Sequence, residues 1–228
     1  MSKSFAEIVT YRRAVRKFDT SFAFDHSIVR KSLELATLAP NSSNMQLWEF
    51  HCVSSPNLLA QMKECCMGQN AAKTANALIA FVTSPQKWKI RTDMNAEIIR
   101  EAFKTKANVP QNVYDYYEKD MPRLYNGDNL GEYKGLTGKE ADLVRRQDVR
   151  VIMHKSVALA AMTFMYAMSE ANYDTCPMEG FDEEGVKKVL KLPKEAEVTM
   201  VVSCGKRRPE GVYGERKRVD YSDVIFEY

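Results

Sequence analysis

The sequence YRRAVRKF occupies residues 11–18 and places three arginines and one lysine within six residues before the chain turns apolar. Charges of one sign held so close together repel each other unless an anion lies beside them. Arginine offers a planar fork of donors that matches phosphate oxygens, at about 1.5–3 kcal/mol per charge-assisted hydrogen bond. The segment therefore indicates either a phosphate site or a solvated basic helix face. A second basic cluster, Arg216-Lys217-Arg218, favours the phosphate site.

Length and composition are typical of one globular domain. The chain has 228 residues, of which 45% are hydrophobic, enough for one sizeable core. The formal net charge of +3 is small, so total charge does not require a polyanionic partner. We find no internal repeat and no linker, and we assign residues 1–228 to a single domain.

Cysteine and histidine usage favours a reducing compartment and argues against a metal site. The five cysteines form an odd set without a C-x-x-C pair, and Cys65 and Cys66 are adjacent, which strains a mutual disulfide. The three histidines show no clustered metal-ligand spacing. The N-terminus lacks the apolar stretch of a signal peptide, and no apolar run reaches the ~18 residues of a membrane span. We expect a cytoplasmic protein without a metal or a membrane segment.

Hydrophobic periodicity predicts both helices and strands. The predicted helices are 4–13, a second helix capped by Ser27 that stops before Pro40, 58–67, 95–105, 113–119, 139–171 and 183–190; the predicted strands are 48–53, 77–83, 198–204 and 224–227. Helix 139–171 contains the apolar run 157–168. Because this run is apolar on nearly all sides, the helix needs partners all round, and a subunit interface would supply them.

Three further segments carry groups that suit a planar heteroaromatic ligand. The loop Pro40–Trp48 is rich in hydroxyls and amides, which fit a ligand's polar edge or an ordinary turn. Asn70 and Lys73 are three residues apart and share a helix face. Residues 86–138 hold five of the eleven tyrosines and a glycine-rich stretch, which is typical of a lid or of ordinary amphipathic packing.

In chain order these segments resemble the FMN-dependent nitroreductase family, over nearly the whole chain. The resemblance is carried by Arg12-Arg13-Ala14-Val15-Arg16, Pro40-Asn41-Ser42-Ser43-Asn44 ahead of Gln46-Leu47-Trp48, Asn70 with Lys73, Pro177-Met178-Glu179-Gly180-Phe181-Asp182, and Arg216-x-Arg218. It implies an α+β fold with a mixed, mostly antiparallel central sheet flanked by helices. It also implies that a long buried helix lies at a dimer interface.

The resemblance implies that Arg12, Arg216 and Arg218 hold the phosphate of FMN and that Arg13 contributes mainly through its backbone. This would explain two distant basic clusters in a nearly neutral chain. Ala14 stands where the family usually has serine, so one hydroxyl near the phosphate is missing. We expect this loss to weaken FMN binding by about 1 kcal/mol, the scale of one ordinary hydrogen bond.

For the flavin ring, the resemblance places Arg16 and Lys73 near the N1/O2 side. A fixed cation there stabilises the negative charge that two-electron reduction leaves. Asn70 would pair with the pyrimidine edge. A backbone N–H of Glu179 or Gly180 would point at flavin N5, and Gly180 would let the backbone come close.

Two segments have further implications. From the residues alone, Pro177 to Asp182 also fits a strand-to-helix turn, with Asp182 capping the next helix; under the resemblance Pro177 fixes the approach to the flavin. Ser42, Ser43 and Asn44 would be offered across the interface to the neighbouring subunit's flavin, although Leu47 replaces the family's usual proline. The expected cofactor-binding set is Arg12, Arg13, Ala14, Arg16, Pro40, Asn41, Ser42, Asn44, Asn70, Lys73, Pro177, Met178, Glu179, Gly180, Arg216 and Arg218.

The implied activity is that of a homodimeric oxidoreductase. NAD(P)H reduces FMN, leaves, and is replaced in the same pocket by an electron-poor acceptor such as a nitroaromatic or a quinone. No side chain has to act as acid or base, so we assign none as catalytic. Without a G-x-G-x-x-G fingerprint, the nicotinamide would stack on the flavin. Residues 86–138 would form a variable lid, and residues 206–228 a C-terminal extension that packs on the partner subunit.

Other interpretations stay open at this stage. The same cofactor could serve reductive dehalogenation, enone reduction or free-flavin reduction, or a redox sensor that turns over slowly. Residues 12–17 and 206–218 could instead form a nucleic-acid-binding patch, which predicts a colourless protein and strongly salt-dependent binding to DNA or RNA.

Overall fold

Four antiparallel strands form the central sheet of the protein. The computed structural model describes residues 3–106, 109–125 and 146–228. The strands are β1 (Trp48–Val53), β2 (Ala77–Thr83), β3 (Asp174–Met178) and β4 (Glu197–Gly205). They lie in the order β1-β2-β4-β3, and every pair of neighbours is antiparallel. A parallel bridge between Ala14 and Thr175 extends the β3 edge, so the sheet is mixed and mostly antiparallel, as expected.

Helices flank this sheet. They are α1 (Phe5–Tyr11), α2 (His26–Ala36), α3 (Pro56–Glu64), α4 (Asn70–Lys73), α5 (Trp88–Phe103), α6 (Gln111–Asp115), α7 (Met121–Tyr125), α8 (Arg146–Glu170) and α9 (Glu183–Leu190). A π-helical turn, Tyr116–Asp120, joins α6 to α7. Short 3-10 turns occupy Ser42–Asn44, Pro85–Lys87, Pro209–Gly211 and Tyr221–Asp223.

Burial on both faces explains why six of the seven residues of β2 are apolar. All seven of its residues are buried. Successive side chains of a strand point to opposite faces, and here Leu78 and Val82 join one core cluster while Ile79 and Phe81 join the other. The first cluster includes residues of α3 and α9, and the second includes residues of α2 and α8. Helices therefore cover both faces of the sheet.

Helix α8 is the longest element. Its segment Val149–Glu170 has 22 residues and contains an 18-residue window with a mean hydropathy of 1.4, which by length and composition suffices to cross a membrane. The apolar run 157–168 is shorter than this segment, because Arg150, His154 and Lys155 lie in the first two turns of the segment. Core helices of globular proteins pass the same test. Here Val157, Phe164 and Met168 pack against the sheet, which accounts for the apolar face of α8.

The predicted bounds of several strands and helices are confirmed. β1, β2 and α9 have the predicted bounds, and β4 extends its prediction by one residue at each end. The predicted first helix is confirmed but ends at Tyr11. Helix α5 begins at Trp88, seven residues before the predicted start. Helix α3 ends at Glu64 because Met67 and Gly68 adopt left-handed φ angles of 51° and 68°.

Three predictions were wrong or incomplete. Asp25, not Ser27, caps α2, because the Asp25 carboxylate accepts the Ser27 backbone N–H at 2.8 Å. β3 was not predicted, since it contains Pro177; proline is tolerated there because β3 is an edge strand. Segment 224–227 is not a strand, since it pairs with no other segment within 3–106, 109–125 and 146–228. The glycine-rich stretch 126–138 and the predicted helical residues 139–145 lie outside the described residues.

Candidate functional site

The arginines from the two ends of the chain meet in one cleft. The cleft has a volume of about 270 Å³, and we call it the arginine cleft; it is lined by Arg12, Arg13, Ala14, Arg16, Val212, Tyr213, Glu215, Arg216, Lys217 and Arg218. The backbone N–H of Val15 donates to Thr175 O at 3.1 Å, and that of Arg16 donates to Gly211 O at 2.7 Å. The basic segment is thus held between the β3 edge and the segment after β4.

Positive charge predominates in the arginine cleft, whose lining has six cations and one carboxylate, that of Glu215. In the described ranges, none of the five cleft arginines forms an ion pair with a carboxylate. Burial lowers the pKa of Arg12, and the charges of Arg216 and Arg218 lower it further. A lowered arginine pKa reports an environment that disfavours the cation. An anion bound among these side chains would relieve it.

Arg216 has a structural role that the sequence did not reveal. Its guanidinium donates to Val9 O at 3.2 Å and Thr10 O at 2.9 Å, and also to Arg12 O. These are carbonyls at the C-terminal end of α1, which otherwise lack intrahelical partners. Arg216 therefore fixes the end of α1 and the backbone of Arg12. Its assignment to the phosphate stays a prediction, and part of its donor fork is already engaged.

A buried ion pair supports the same end of α1. Asp174 is only 2% exposed, and its carboxylate accepts the Arg207 backbone N–H at 2.7 Å and the Arg207 Nε–H at 2.7 Å. Arg207 also donates to Tyr11 O at 3.1 Å, and its guanidinium carbon lies 4.2 Å from the centre of the Tyr11 ring. No motif identified this network, since its members are distant in sequence and each is common on surfaces.

A second group of predicted residues lies on α4 and in the loop after β3. Asn70 and Lys73 are exposed on α4, and Glu179 and Gly180 are exposed in the loop after β3. The side-chain amide of Gln69 donates to Gly180 O at 2.6 Å, which ties α4 to this loop. The structure therefore brings these four predicted residues to neighbouring segments.

Other members of the predicted turn are not available as side chains. Met178 is only 2% exposed and belongs to the core, so only its backbone could meet a ligand. Asp182 accepts the Gly185 backbone N–H at 3.1 Å and caps α9, as the turn interpretation predicted. Gly68, rather than Gly180, has the left-handed φ that favours glycine.

The loop Pro40–Asn44 lies at the opposite corner of the sheet. It leads into β1, while the arginine cleft adjoins β3, and the order β1-β2-β4-β3 puts these strands on opposite edges. In the register of the sheet, Trp48 pairs with Thr83 and Thr83 pairs with Glu197, whereas Thr175 pairs with Cys204, seven residues further along β4. Three strand spacings across and seven residues along give a separation on the order of 25 Å. Within one chain, Pro40, Asn41, Ser42 and Asn44 therefore do not join the other predicted residues.

Side chains from the 86–138 region hold this loop in a strained conformation. Ser43 and Asn44 have left-handed φ angles of 53° and 51°. Asn95, which is 2% exposed, donates to Asn44 O at 2.9 Å and accepts from Asn44 Nδ2 at 2.7 Å. Ser43 Oγ and the Tyr116 hydroxyl lie 2.6 Å apart, and the Tyr117 hydroxyl donates to Ser43 O at 2.8 Å. The tyrosine pattern alone could not single out these two rings.

Metal and thiol chemistry find little support in the structure. Among residues 3–106, 109–125 and 146–228, no group of three or more His, Cys, Asp or Glu residues could hold a metal ion. All five cysteines are free. Burial is the main cause that raises the pKa of Cys65 and raises that of Cys66 to about 11, so at neutral pH the reactive thiolate is disfavoured.

A family model and a curated relative both relate this chain to nitroreductases. The model of the nitroreductase family matches residues 9–206. The Bacillus subtilis (strain 168) protein named "Putative NAD(P)H nitroreductase MhqN" is 27% identical over 212 residues, which are 91% of this chain and 93% of that protein.

Solved structures share the fold at lower identity. A "putative nitroreductase in complex with FMN" from Exiguobacterium sibiricum 255-15 has a TM-score of 0.76 and 23% identity, and the match covers 100% of this chain and 99% of that one. CLA-ER, described as an enone reductase of a gut-bacterial fatty acid saturation metabolism, has a TM-score of 0.73 and 17% identity, with 98% of each chain covered. At these identities the structures show a common fold.

Proposed function

This chain belongs to the nitroreductase family, and on that premise we propose that it is an FMN-dependent oxidoreductase using NAD(P)H. Electrons pass in a ping-pong sequence to a nitroaromatic, quinone or related electron-poor acceptor. Bound FMN supplies the hydride chemistry, while the protein supplies orientation, charge and exclusion of water. We assign the whole chain, residues 1–228, to this one catalytic domain.

The arginine cleft is the observation that carries the proposal. A phosphate monoester has up to two negative charges and three acceptor oxygens, and it would meet Arg12 and Arg218 in a cleft whose lining has six cations and one carboxylate, that of Glu215. Ala14 leaves a backbone-lined surface beside the bridge to Thr175. The residues present therefore fit the phosphate of FMN. On that side of the cleft, β3 runs from Thr175 towards Gly180.

Residues on that side fit the ring system of the same cofactor. Lys73 and Arg16 would place fixed positive charge near the edge where reduction builds negative charge. Asn70 offers an amide to a heteroaromatic edge, and the backbone N–H of Glu179 or Gly180 offers a neutral donor. All of these groups except Arg16, which is half-buried, are exposed in the isolated chain and open to a ligand.

We also propose a homodimer with the cofactor at the subunit interface. The separation of Ser42 and Asn44 from the arginine cleft supports this, because a partner copy could bring its own loop to the cofactor. Helix α8 leaves Val151 and Leu159 about half exposed. The segment 206–228 also leaves large apolar side chains in solvent, among them Ile225 and Phe226 at 59% and 67%. A partner subunit would bury these surfaces, and residues 86–138 would then select the acceptor.

The five free cysteines suit a reducing compartment, and we propose that the protein works in the cytoplasm. The purified protein should be yellow and should release FMN on heating. Steady-state oxidation of NADH and NADPH should accelerate when nitrofurazone, menadione or an enone is added. A colourless protein that binds DNA or RNA in a salt-dependent manner would overturn the proposal. Flavin without acceptor-stimulated turnover would support a redox sensor instead.

A further inference from the structure

The side chain of Gln69 reaches across to a distant loop. Gln69 stands at the N-cap position of α4, where its carbonyl accepts the backbone N–H groups of Ala72 and Lys73, each at 3.0 Å. An N-cap side chain usually accepts from its own helix, but Gln69 makes no such bond. Instead its Nε2 donates to Gly180 O at 2.6 Å, 111 residues away in sequence.

The loop that receives this bond is held at a second point. The Asp182 backbone N–H donates to Cys65 O at 2.8 Å. The segment 65–69 therefore contacts the loop after β3 at both Gly180 and Asp182. Because a carbonyl held by a strong donor cannot rotate freely, the Gln69 bond fixes the orientation of the Gly180 peptide group. Without it, an exposed glycine would sample many conformations.

Gln69 also fills the space beside Gly180. A Cβ placed on Gly180 would lie 3.4 Å from Gln69 Nε2, which among the described residues is the one atom within 4 Å apart from those of the chain neighbours. The amide therefore packs where a side chain of residue 180 would project. The approach of Gln69 to this loop depends on the chain reversal at Met67 and Gly68, whose left-handed φ angles turn the backbone into α4.

We propose that Gln69 is a positioning residue that sets the Glu179–Gly180 backbone at a fixed distance from Asn70 and Lys73. This inference rests on the function proposed above, in which α4 meets one edge of the flavin ring and the Glu179–Gly180 loop meets another. One side chain then couples the two segments. Hydride transfer depends steeply on such alignment, because small displacements at a reacting centre cost large factors in rate.

Three variants test this role. Gln69→Ala removes the bond, and Gln69→Glu keeps the size but presents a carboxylate, which cannot donate to Gly180 O. Gln61→Ala is the matched control, since Gln61 Nε2 donates to a backbone carbonyl, that of Asn57, within α3. The measurements are the Kd for FMN by fluorescence quenching, the midpoint potential of the bound flavin, the rate of its anaerobic reduction by NADH or NADPH in a stopped-flow instrument, and the Tm.

Both Gln69 variants should reduce the bound flavin about tenfold more slowly, with a shifted midpoint potential, while the Kd for FMN changes by less than about threefold. The Tm of all variants should stay within about 2 °C of wild type, as expected for surface side chains. Equal reduction rates and potentials in Gln69→Ala and Gln61→Ala would overturn the positioning role. The positioning role would also be overturned if Gln69→Glu loses FMN or if its flavin is reduced at the wild-type rate. If the wild-type protein holds no FMN or is not reduced by NAD(P)H, the proposed function itself fails.

Discussion

Replacing Arg218 with alanine should weaken the binding of FMN and leave the binding of riboflavin unchanged. Riboflavin has the same ring system and lacks the phosphate. Arg218 lines the arginine cleft near Arg12, whose pKa it lowers, so the two guanidinium groups share one electrostatic environment. Arg218→Ala therefore removes a phosphate contact and little else.

The magnitude follows from the donors that Arg218 has left. Its Nη1 donates to Lys217 O at 2.6 Å, which leaves Nε and Nη2 for a phosphate. A charge-assisted hydrogen bond contributes about 1.5–3 kcal/mol, which corresponds to a 10- to 150-fold change in Kd. Arg218 is exposed, so salt screens its charge. We expect the lower end of the range, about tenfold.

Flavin fluorescence titrations of the cofactor-free protein with FMN and with riboflavin provide the assay. Arg30→Ala is the control, since Arg30 is an exposed arginine of α2 already paired with Glu34 at 2.9 Å. Added NaCl should weaken the binding of FMN and leave that of riboflavin unchanged. If Arg218→Ala weakens both ligands equally, or neither, the phosphate does not lie in the arginine cleft.

Three further outcomes are expected. Arg216→Ala should lower both the affinity for FMN and the free energy of unfolding, the latter by about 1–2 kcal/mol, because it frees carbonyls at the end of α1; an affinity loss with unchanged urea denaturation would contradict this. Asp174→Ala should lower the free energy of unfolding by about 3–5 kcal/mol, or the Tm by about 6–20 °C, because Arg207 loses its buried partner. The double variant that also carries Arg207→Met should recover part of this loss. Burial alone would raise the pKa of Glu197, but hydrogen bonds from His154 and a neighbouring arginine lower it below its ordinary value of 4.5. The stabilisation that ionised Glu197 contributes should thus be complete above about pH 4.5 and should disappear as the pH falls through the folded-state pKa. The decrease in Tm on acidification should therefore be shallower in Glu197→Gln.

Secondary structure was predictable where burial alone explains the pattern. β1 and β2 have the predicted bounds because each is a short, largely apolar run next to turn residues. The edge strand β3 was missed, since Pro177 argues against a strand unless the position in the sheet is known. The tail segment 224–227 has strand-forming residues, but strand formation also requires a neighbour with free backbone groups.

The candidate site was predictable in its residue types and less so in their contacts. Basic residues from both ends of the chain were expected to converge, and Arg12 does line the arginine cleft together with Arg216 and Arg218. The sequence could not show that Arg216 donates to three carbonyls of the α1 end or that Asn95 holds the loop at Asn44. Hydrogen bonds between residues distant in sequence leave no local pattern.

By itself the sequence determined the family and the α+β class and predicted a phosphate-bearing ligand, because these depend on residue types in a given order. Tertiary structure alone decided which predicted residues can meet. It brings Arg12 and Arg218 together across the chain and puts Ser42 at the opposite corner of the sheet. The physical reason is that strand order and register set distances between segments, and both arise from packing of the whole chain.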